Sequence, residues 1–324
     1  MDKNRLNYIS VLRVSAMILV VFYHCLCGYS DIWSGGVKWL TIPMWDDIAC
    51  FVRYFHMPLF IIISGFLYSY LFERGRYVNS IQFVCKKVKR VMIPYLFWAL
   101  YVTLFQNFHF SEILNGVAHL WFLLFIFEAY ISMYIFDKCI NSKYAYGILY
   151  AISFLSIAFS DYIVGFIGMR FTLGLFFYVR FMPYYIIGIA LHRIISKTNI
   201  SSNLIYGSLF IAVLLFISLF ICTSNQIVLR LVALFVVVSV FFAVKAGLHI
   251  NISEKFKQVD KCCMGIYIIH HILIQEMNTC KLLHPCMGHY ILYPLLQFFI
   301  VLFISFYLTR IALKFKFTSL VIGG

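Results

Sequence analysis

Long apolar runs separated by short polar stretches dominate this chain, and ten of them have the length of a membrane-spanning helix. The predicted spans are 8–28, 49–72, 91–108, 118–136, 144–160, 172–191, 202–222, 229–246, 262–280 and 290–313. Runs of about 18–22 apolar residues suit α-helices, whereas barrel strands would alternate at a shorter period. The pattern therefore predicts an all-α polytopic membrane protein of about ten transmembrane helices. We expect residues 1–324 to form a single integral-membrane domain without an appended soluble domain.

Composition and charge narrow this picture. The chain is 63% hydrophobic and 12% charged, with a mean hydropathy of +0.92, which excludes a soluble domain. A net charge of +14 invites a nucleic-acid partner, but most of the 26 lysines and arginines fall in alternate loops on the side of the termini. That distribution follows the positive-inside rule and predicts cytoplasmic termini, with the lipid bilayer and no nucleic acid as partner. The ten cysteines show no metal-ligand spacing, so we expect no metal site. We also expect no bound cofactor.

The first span carries an arginine and a histidine inside an otherwise apolar helix. Arg13 and His24 are eleven residues apart, close to three turns, so they share one face and lie roughly 16 Å apart along the axis. Each alone has an ordinary explanation, an arginine that snorkels to the surface or a histidine bonded in the core. Ionisable groups at such depth mark functional paths by default, and the aligned pair favours function.

The first outside loop combines aromatic and acidic side chains. It contains Trp33, Trp39, Trp45, Asp31, Asp46 and Asp47, and Arg53 and His56 follow it. Tryptophans at this height ordinarily form an interfacial belt. The alternative is a platform for a sugar, because aromatic faces and carboxylates suit carbohydrate CH and OH groups.

The most basic inside loop ends at the predicted third span. Lys86, Lys87, Lys89 and Arg90 immediately precede the membrane, and Pro94 lies just inside it. Anchoring to anionic lipid headgroups explains such a cluster without a ligand. A phosphorylated cytoplasmic cosubstrate would use the same charges.

Further polar side chains interrupt the later spans, and any of them could line a pocket. They are Ser64 in an MPLFIIISGFL segment, Trp121 and Glu128 in HLWFLLFIFE, and Tyr267 and His270 in GIYIIHH. Pro58 and the Ser64–Gly65 pair would permit a bend or an unwound turn, although packing by small residues explains the pair equally well. Glu128 needs a partner inside the membrane, and Arg180 or Arg230 could serve.

In their order and spacing, these segments resemble the integral-membrane acyltransferase 3 family over about Leu6 to Leu313. Arg13 and His24 resemble its arginine and histidine separated by ten residues, and Lys87-Val88-Lys89-Arg90 resembles its basic-x-x-Arg motif. The segment ending in Ser-Gly-Phe, the HLWFL and PYYIIGIAL segments, and Tyr267-x-x-His270 are similar to further landmarks. Ten spans is also the helix count of that family.

The resemblance implies a bacterial cytoplasmic-membrane enzyme that moves an acyl group, usually acetyl, from cytoplasmic acetyl-CoA to a glycan hydroxyl. The acceptor would be a cell-envelope polysaccharide or its lipid-linked precursor, and polysaccharide-synthesis proteins are possible partners. His24 would be the general base, and Arg13 would grip the CoA or stabilise its charge. Lys87 and Arg90 would hold the nucleotide phosphates.

Two departures from the family pattern limit what carries over. The predicted fourth span reads LWFLLFIFE instead of the WSL-x-x-E form, so Glu128 inherits no role, and we expect no appended esterase-like domain. Two other classes of function stay open at this point. One is an exporter of a glycan or small solute through the same path, and the other is a scaffold whose buried polar groups only pack.

Overall fold

The structure is a computed structural model that describes residues 7–32, 41–106, 108–140, 142–167, 174–195, 200–247, 252–280 and 290–324. Within these ranges the chain forms helices and turns and no strand, so the predicted all-α class is confirmed. The α-helices are α1 (Asn7–Cys27), α2 (Pro43–Val52), α3 (His56–Glu73), α4 (Ser80–Lys87), α5 (Ile93–Phe105), α6 (Trp121–Cys139), α7 (Lys143–Ala158), α8 (Ser160–Ile167), α9 (Leu175–Ile195), α10 (Ser202–Cys222), α11 (Gln226–Gly247), α12 (Glu254–Thr279), α13 (Tyr293–Ala312) and α14 (Lys316–Val321).

The described helices include eight that are long and apolar enough to cross a membrane, or nine if a bent pair counts as one span. The polytopic prediction is therefore confirmed, while the predicted number of ten is higher than this. The bent pair is α7 with α8, which meet at 82° where the sequence predicted one span over 144–160. The predicted span 262–280 corresponds to α12, which is not among the eight. Its histidines and the polar pair Gln275 and Glu276 lower its hydropathy.

The helices separate into two compact units. The terminal unit comprises Met1–Met57 and Ile250–Ile322 with Gly324, and the middle unit comprises Pro58–His249 with Gly323. This division describes packing and does not test the prediction of one domain.

In the terminal unit, α1 packs against α2, α12 and α13, and α12 packs against α13. α12 begins eight residues before the predicted span because Ser253 caps it, its hydroxyl accepting a hydrogen bond from the Phe256 N–H at 3.2 Å. α12 and α13 approach closely, since a Cβ on Gly265 of α12 would lie 2.4 Å from the methyl carbon of Thr309 in α13. α12 and α13 are therefore tightly packed at Gly265.

In the middle unit, α4 and α5 form one helix interrupted by a wider turn. Residues Val88–Met92 form a π-helical turn in which the Ile93 N–H bonds the Val88 carbonyl, five residues back. Pro94 follows at once, and a proline has no N–H to give the carbonyl four residues before it, which here belongs to Arg90. The extra residue in the turn accommodates the proline at the point where the basic motif enters the helix.

Two glycines let α3 and α9 cross at backbone distance. A Cβ on Gly65 would lie 2.0 Å from the Tyr185 carbonyl oxygen, and one on Gly188 would lie 2.2 Å from that of Ile62. α3 is unbroken through this crossing, so the unwound turn that Ser64 and Gly65 would permit is absent. Packing by small residues is the role that the structure gives to Gly65.

Candidate functional site

The arginine singled out in the first span is ion-paired with an aspartate of α12. Arg13 Nε donates to Asp260 Oδ1 at 2.6 Å, and Arg13 Nη2 donates to Asp260 Oδ2 at 2.5 Å. The Ser10 hydroxyl donates to Asp260 Oδ2 at 2.9 Å. The two side chains are 29% and 12% exposed, respectively, so this bidentate pair is largely shielded from solvent.

Three turns further along α1, the histidine contacts a histidine of the same partner helix. His24 Nδ1 lies 2.7 Å from His270 Nε2, and His270 Nδ1 lies 3.0 Å from the Ile266 carbonyl oxygen. The two rings are nearly parallel, with centroids 5.0 Å apart. His270 is fully buried, whereas His24 is only partly buried. Of the two, His24 is therefore better placed to meet a substrate.

These two contacts show the relative direction of α1 and α12. Arg13 meets Asp260 and His24 meets His270, so residue numbers rise together and the helices are parallel. The spacing is eleven residues in α1 and ten in α12, which are rises of roughly 16 Å and 15 Å. The near match lets both contacts form at once.

Other histidines of the terminal unit lie around His24. His56 is buried, stacks on Tyr23 with ring centroids 4.1 Å apart, and has Nδ1 at 3.1 Å from the Val52 carbonyl oxygen. His271 meets the His24 ring edge-on at 5.3 Å. Despite this density of imidazoles, no group of three or more His, Cys, Asp or Glu among the residues described could hold a metal ion.

The predicted acceptor residues of the outside loop divide between the core and the surface. Trp45 is buried, and its indole N–H donates to the Ile291 carbonyl at 2.8 Å. Its ring packs in a cluster with Leu26, Tyr29, Ile42, Ala49 and Tyr293. A ring covered in this way cannot offer its face to a sugar, so Trp45 serves to anchor α2.

The polar residues of that loop are more accessible. Asp46 accepts a hydrogen bond from the Asp31 N–H at 2.8 Å and so joins the two ends of the loop. Asp47 and Arg53 are exposed. Trp33 and Trp39 lie outside the described residues, so the aromatic platform stays a prediction for them.

The predicted phosphate-binding residues belong to the middle unit and differ in surroundings. The Lys87 ammonium lies 3.3 Å from the centroid of the Tyr130 ring, and the Tyr77 and Phe83 rings are 5.3 Å and 5.5 Å away. Such an arrangement stabilises the cation by cation–π attraction. Arg90, by contrast, is exposed.

The remaining predicted pocket residues also belong to the middle unit, apart from the buried Tyr267 of α12. The Trp121 ring stacks with both Phe177 and Phe181, whose centroids are 4.5 Å and 4.6 Å away. The Ser64 hydroxyl donates to the Phe60 carbonyl of its own helix at 3.0 Å. Both contacts are structural.

Among the residues that the structure describes, no ion pair is seen between Glu128 and either arginine suggested for it. Arg230 forms an ion pair with Asp161, and Arg180 reaches the same carboxylate at 3.9 Å. In the part of the chain that the structure describes, Glu128 Oε2 is buried without a hydrogen-bond partner. Both arginines lie near Asp161 at the start of α8, and the choice of a partner for Glu128 stays open.

Asp260 is the functional candidate that the sequence analysis missed. It lies in a basic stretch beside Lys257 and Lys261, where its charge is easily attributed to a solvated helix end. One signal could have identified it, namely that Asp260 precedes His270 by nearly the interval that separates Arg13 from His24.

Comparison with known proteins identifies a family that matches nearly the whole chain. A family model described as an acyltransferase domain, that of acyltransferase family 3, matches residues 6–322. No curated protein and no solved structure gives a match.

Proposed function

The chain belongs to the acyltransferase 3 family, and from that premise we propose that this multi-pass membrane protein transfers an acetyl group from acetyl-CoA to a carbohydrate hydroxyl. The observation that carries the proposal is the placement of His24. It is a partly buried imidazole within a membrane helix, held by a second imidazole, in a chain matched over nearly its whole length by an acyltransferase family. A neutral imidazole is the natural base for a hydroxyl nucleophile near neutral pH.

The proposed reaction balances with one base. The acceptor hydroxyl oxygen attacks the thioester carbonyl carbon, and His24 takes the hydroxyl proton. The carbon–sulfur bond then breaks, and the proton passes from the imidazolium to the departing thiolate. The products are an O-acetyl ester and free CoA, and the histidine returns to its neutral form.

Exposure supports a division of roles among the basic residues. Arg90 is exposed and suits the phosphates of CoA, for which a guanidinium is a bidentate partner. Arg13 already holds a carboxylate, so its proposed part is to fix α1 against α12, and gripping CoA would require Asp260 to be displaced. Asp47 and Arg53 are exposed and are the proposed acceptor contacts.

The acceptor class and the membrane rest on the family resemblance. We place the enzyme in the bacterial cytoplasmic membrane, acting on a cell-envelope polysaccharide or its lipid-linked precursor. Mass analysis of envelope glycans from cells with and without the gene tests this. Loss of about 42 mass units per modified sugar supports an acetyl group, and identical glycans contradict the proposed acceptor.

The activity itself is tested with purified protein in lipid vesicles. Acetyl-CoA labelled in the acetyl group is supplied with an envelope glycan fraction, and labelled glycan and free CoA are both measured. His24→Gln keeps a hydrogen-bonding side chain but cannot take a proton, so we expect transfer to fall about 10²–10⁴-fold while acetyl-CoA still binds. Solute flux without release of CoA would instead identify an exporter.

A further inference from the structure

We propose that His270 is a positioning residue that fixes the tautomer of His24, so that Nε2 of His24 is the atom that takes the proton. The inference deepens the proposed function and rests on it. It concerns which nitrogen acts and what holds it ready.

The assignment starts from a group with a single hydrogen-bonding role. The Ile266 carbonyl oxygen lies 3.0 Å from His270 Nδ1, and a carbonyl can only accept, so Nδ1 of His270 carries a hydrogen. In a neutral imidazole the other nitrogen then has a lone pair. His270 Nε2 is therefore an acceptor.

The acceptor nitrogen of His270 determines the tautomer of the His24 ring. His24 Nδ1 lies 2.7 Å from His270 Nε2, so His24 Nδ1 is the donor in this contact. A neutral His24 with its hydrogen on Nδ1 has its lone pair on Nε2. The chain from carbonyl to His270 to His24 thus places the basic nitrogen at the far side of the His24 ring.

The arrangement would also serve the charged intermediate. When His24 takes the substrate proton on Nε2, its Nδ1–H stays bonded to His270 Nε2 and the ring need not turn. His270 is fully buried and bonded to its own helix, so it cannot readily follow a rotating partner. Orienting a base in this way is the role that a third group plays in other catalytic sites.

Two variants of His270 separate hydrogen bonding from packing. His270→Gln can place its amide oxygen near the position of the lost Nε2 and still accept from His24. His270→Leu fills the space but accepts nothing. We expect the kcat of His270→Leu to fall about 10–100-fold, the range seen when the partner that orients a functional histidine is removed. The KM for acetyl-CoA should be unchanged in both variants, and His270→Gln should retain most of the kcat.

A matched control uses a buried histidine elsewhere. His192 in α9 is buried and lies 3.0 Å from the Ser69 hydroxyl. His192→Gln should leave the kcat unchanged. Thermal unfolding of all three variants in the same detergent shows which of them are folded.

The tautomer itself is measured by nitrogen NMR of histidine-labelled protein, with the His24 signals identified by their loss in His24→Gln. We expect the wild-type protein to show His24 protonated on Nδ1, and His270→Leu to lose that preference. A wild-type His24 protonated on Nε2 overturns the inference even if every variant unfolds. A folded His270→Leu with wild-type kcat overturns it too. Absence of transfer by the wild-type protein contradicts the proposed function instead.

Discussion

Among individual residues, Arg13 changes most in meaning between sequence and structure. In the sequence it is an isolated charge in an apolar helix, whereas in the structure two of its three donor nitrogens, Nε and Nη2, reach Asp260. A charge within a membrane helix ordinarily finds a partner, and here the partner is on α12. Arg13 therefore belongs to the scaffold that carries His24 as well as to any site.

This pairing predicts the effect of removing one member. Asp260→Leu leaves the guanidinium without its carboxylate, and we expect a loss of unfolding free energy on the order of 1–3 kcal/mol, between values for exposed and buried pairs. The double variant Arg13→Leu/Asp260→Leu should recover part of this loss because no unpaired charge is left. Reversible unfolding in mixed micelles measures both.

An exposed ion pair on the same helix is the control. Glu254 bonds Lys257 at 2.5 Å but is 83% exposed, so Glu254→Ala should change stability little. Equal stability of Asp260→Leu and the wild-type protein would show that the shielded pair contributes nothing.

The two ends of the basic motif should respond differently to salt. Arg90 is exposed, so Arg90→Ala should weaken acyl-CoA binding at low ionic strength, and the difference should shrink as salt rises to about 1 M. Lys87 is enclosed by rings, so Lys87→Ala should mainly lower thermal stability. Binding titrations at several salt concentrations distinguish the two variants.

The control variant is Lys143→Ala, which removes an exposed charge outside the motif and should leave acyl-CoA binding unchanged. Salt-independent binding by Arg90→Ala would count against a phosphate contact.

At the scale of elements, the close crossing of α3 and α9 leaves no room for a side chain at Gly65 or Gly188. Gly65→Ala or Gly188→Ala would place a methyl group against a backbone carbonyl, and backbone cannot move aside cheaply. We expect each variant to be destabilised by about 1–3 kcal/mol or more, as for other overpacked sites. Thermal unfolding in detergent measures the change.

Two helical glycines with open surroundings provide matched controls. A Cβ on Gly147 or Gly207 would meet nothing within 4 Å. Alanine at either position should be neutral or should stabilise the helix by up to about 1 kcal/mol, because alanine loses less backbone entropy. Equal effects at all four positions would mean that the crossing is not tight.

The sequence predicted elements better than their partners. The hydropathy pattern located α1, α10 and α13 to within a few residues, because length and apolarity are local properties. It did not predict the π turn at Val88–Met92, although Pro94 was visible, since the response of a helix to proline depends on its neighbours. The contact of His24 with His270 could not be predicted from the sequence either. Residue spacing shows which residues share a helix face, but not which other helix that face contacts.

For the whole molecule, the orientation in the membrane stays a prediction that rests on the distribution of lysine and arginine. Single cysteines at Asp47 and Val78, both exposed, test it with a thiol reagent that does not cross membranes. The background retains the buried cysteines and replaces the others with alanine. We expect Asp47→Cys to react in intact cells and Val78→Cys to react only after permeabilisation. The opposite pattern would reverse the orientation, and with it the side proposed to supply the acyl donor.

The interval from Arg13 to His24 in α1 nearly equals the interval from Asp260 to His270 in α12, and this match restricts where residues can be inserted in the two helices. One residue inserted between Arg13 and His24 would rotate His24 by about 100° around α1 and shift it by about 1.5 Å, away from His270. An equal insertion between Asp260 and His270 would rotate that histidine by the same angle on a parallel helix, which does not restore the contact. Insertion of seven residues in both helices returns each face to within about 20° of its original direction. The interval between the ion pair and the histidine pair can therefore lengthen only by coupled insertions of nearly whole turns, such as seven or eleven residues in both helices.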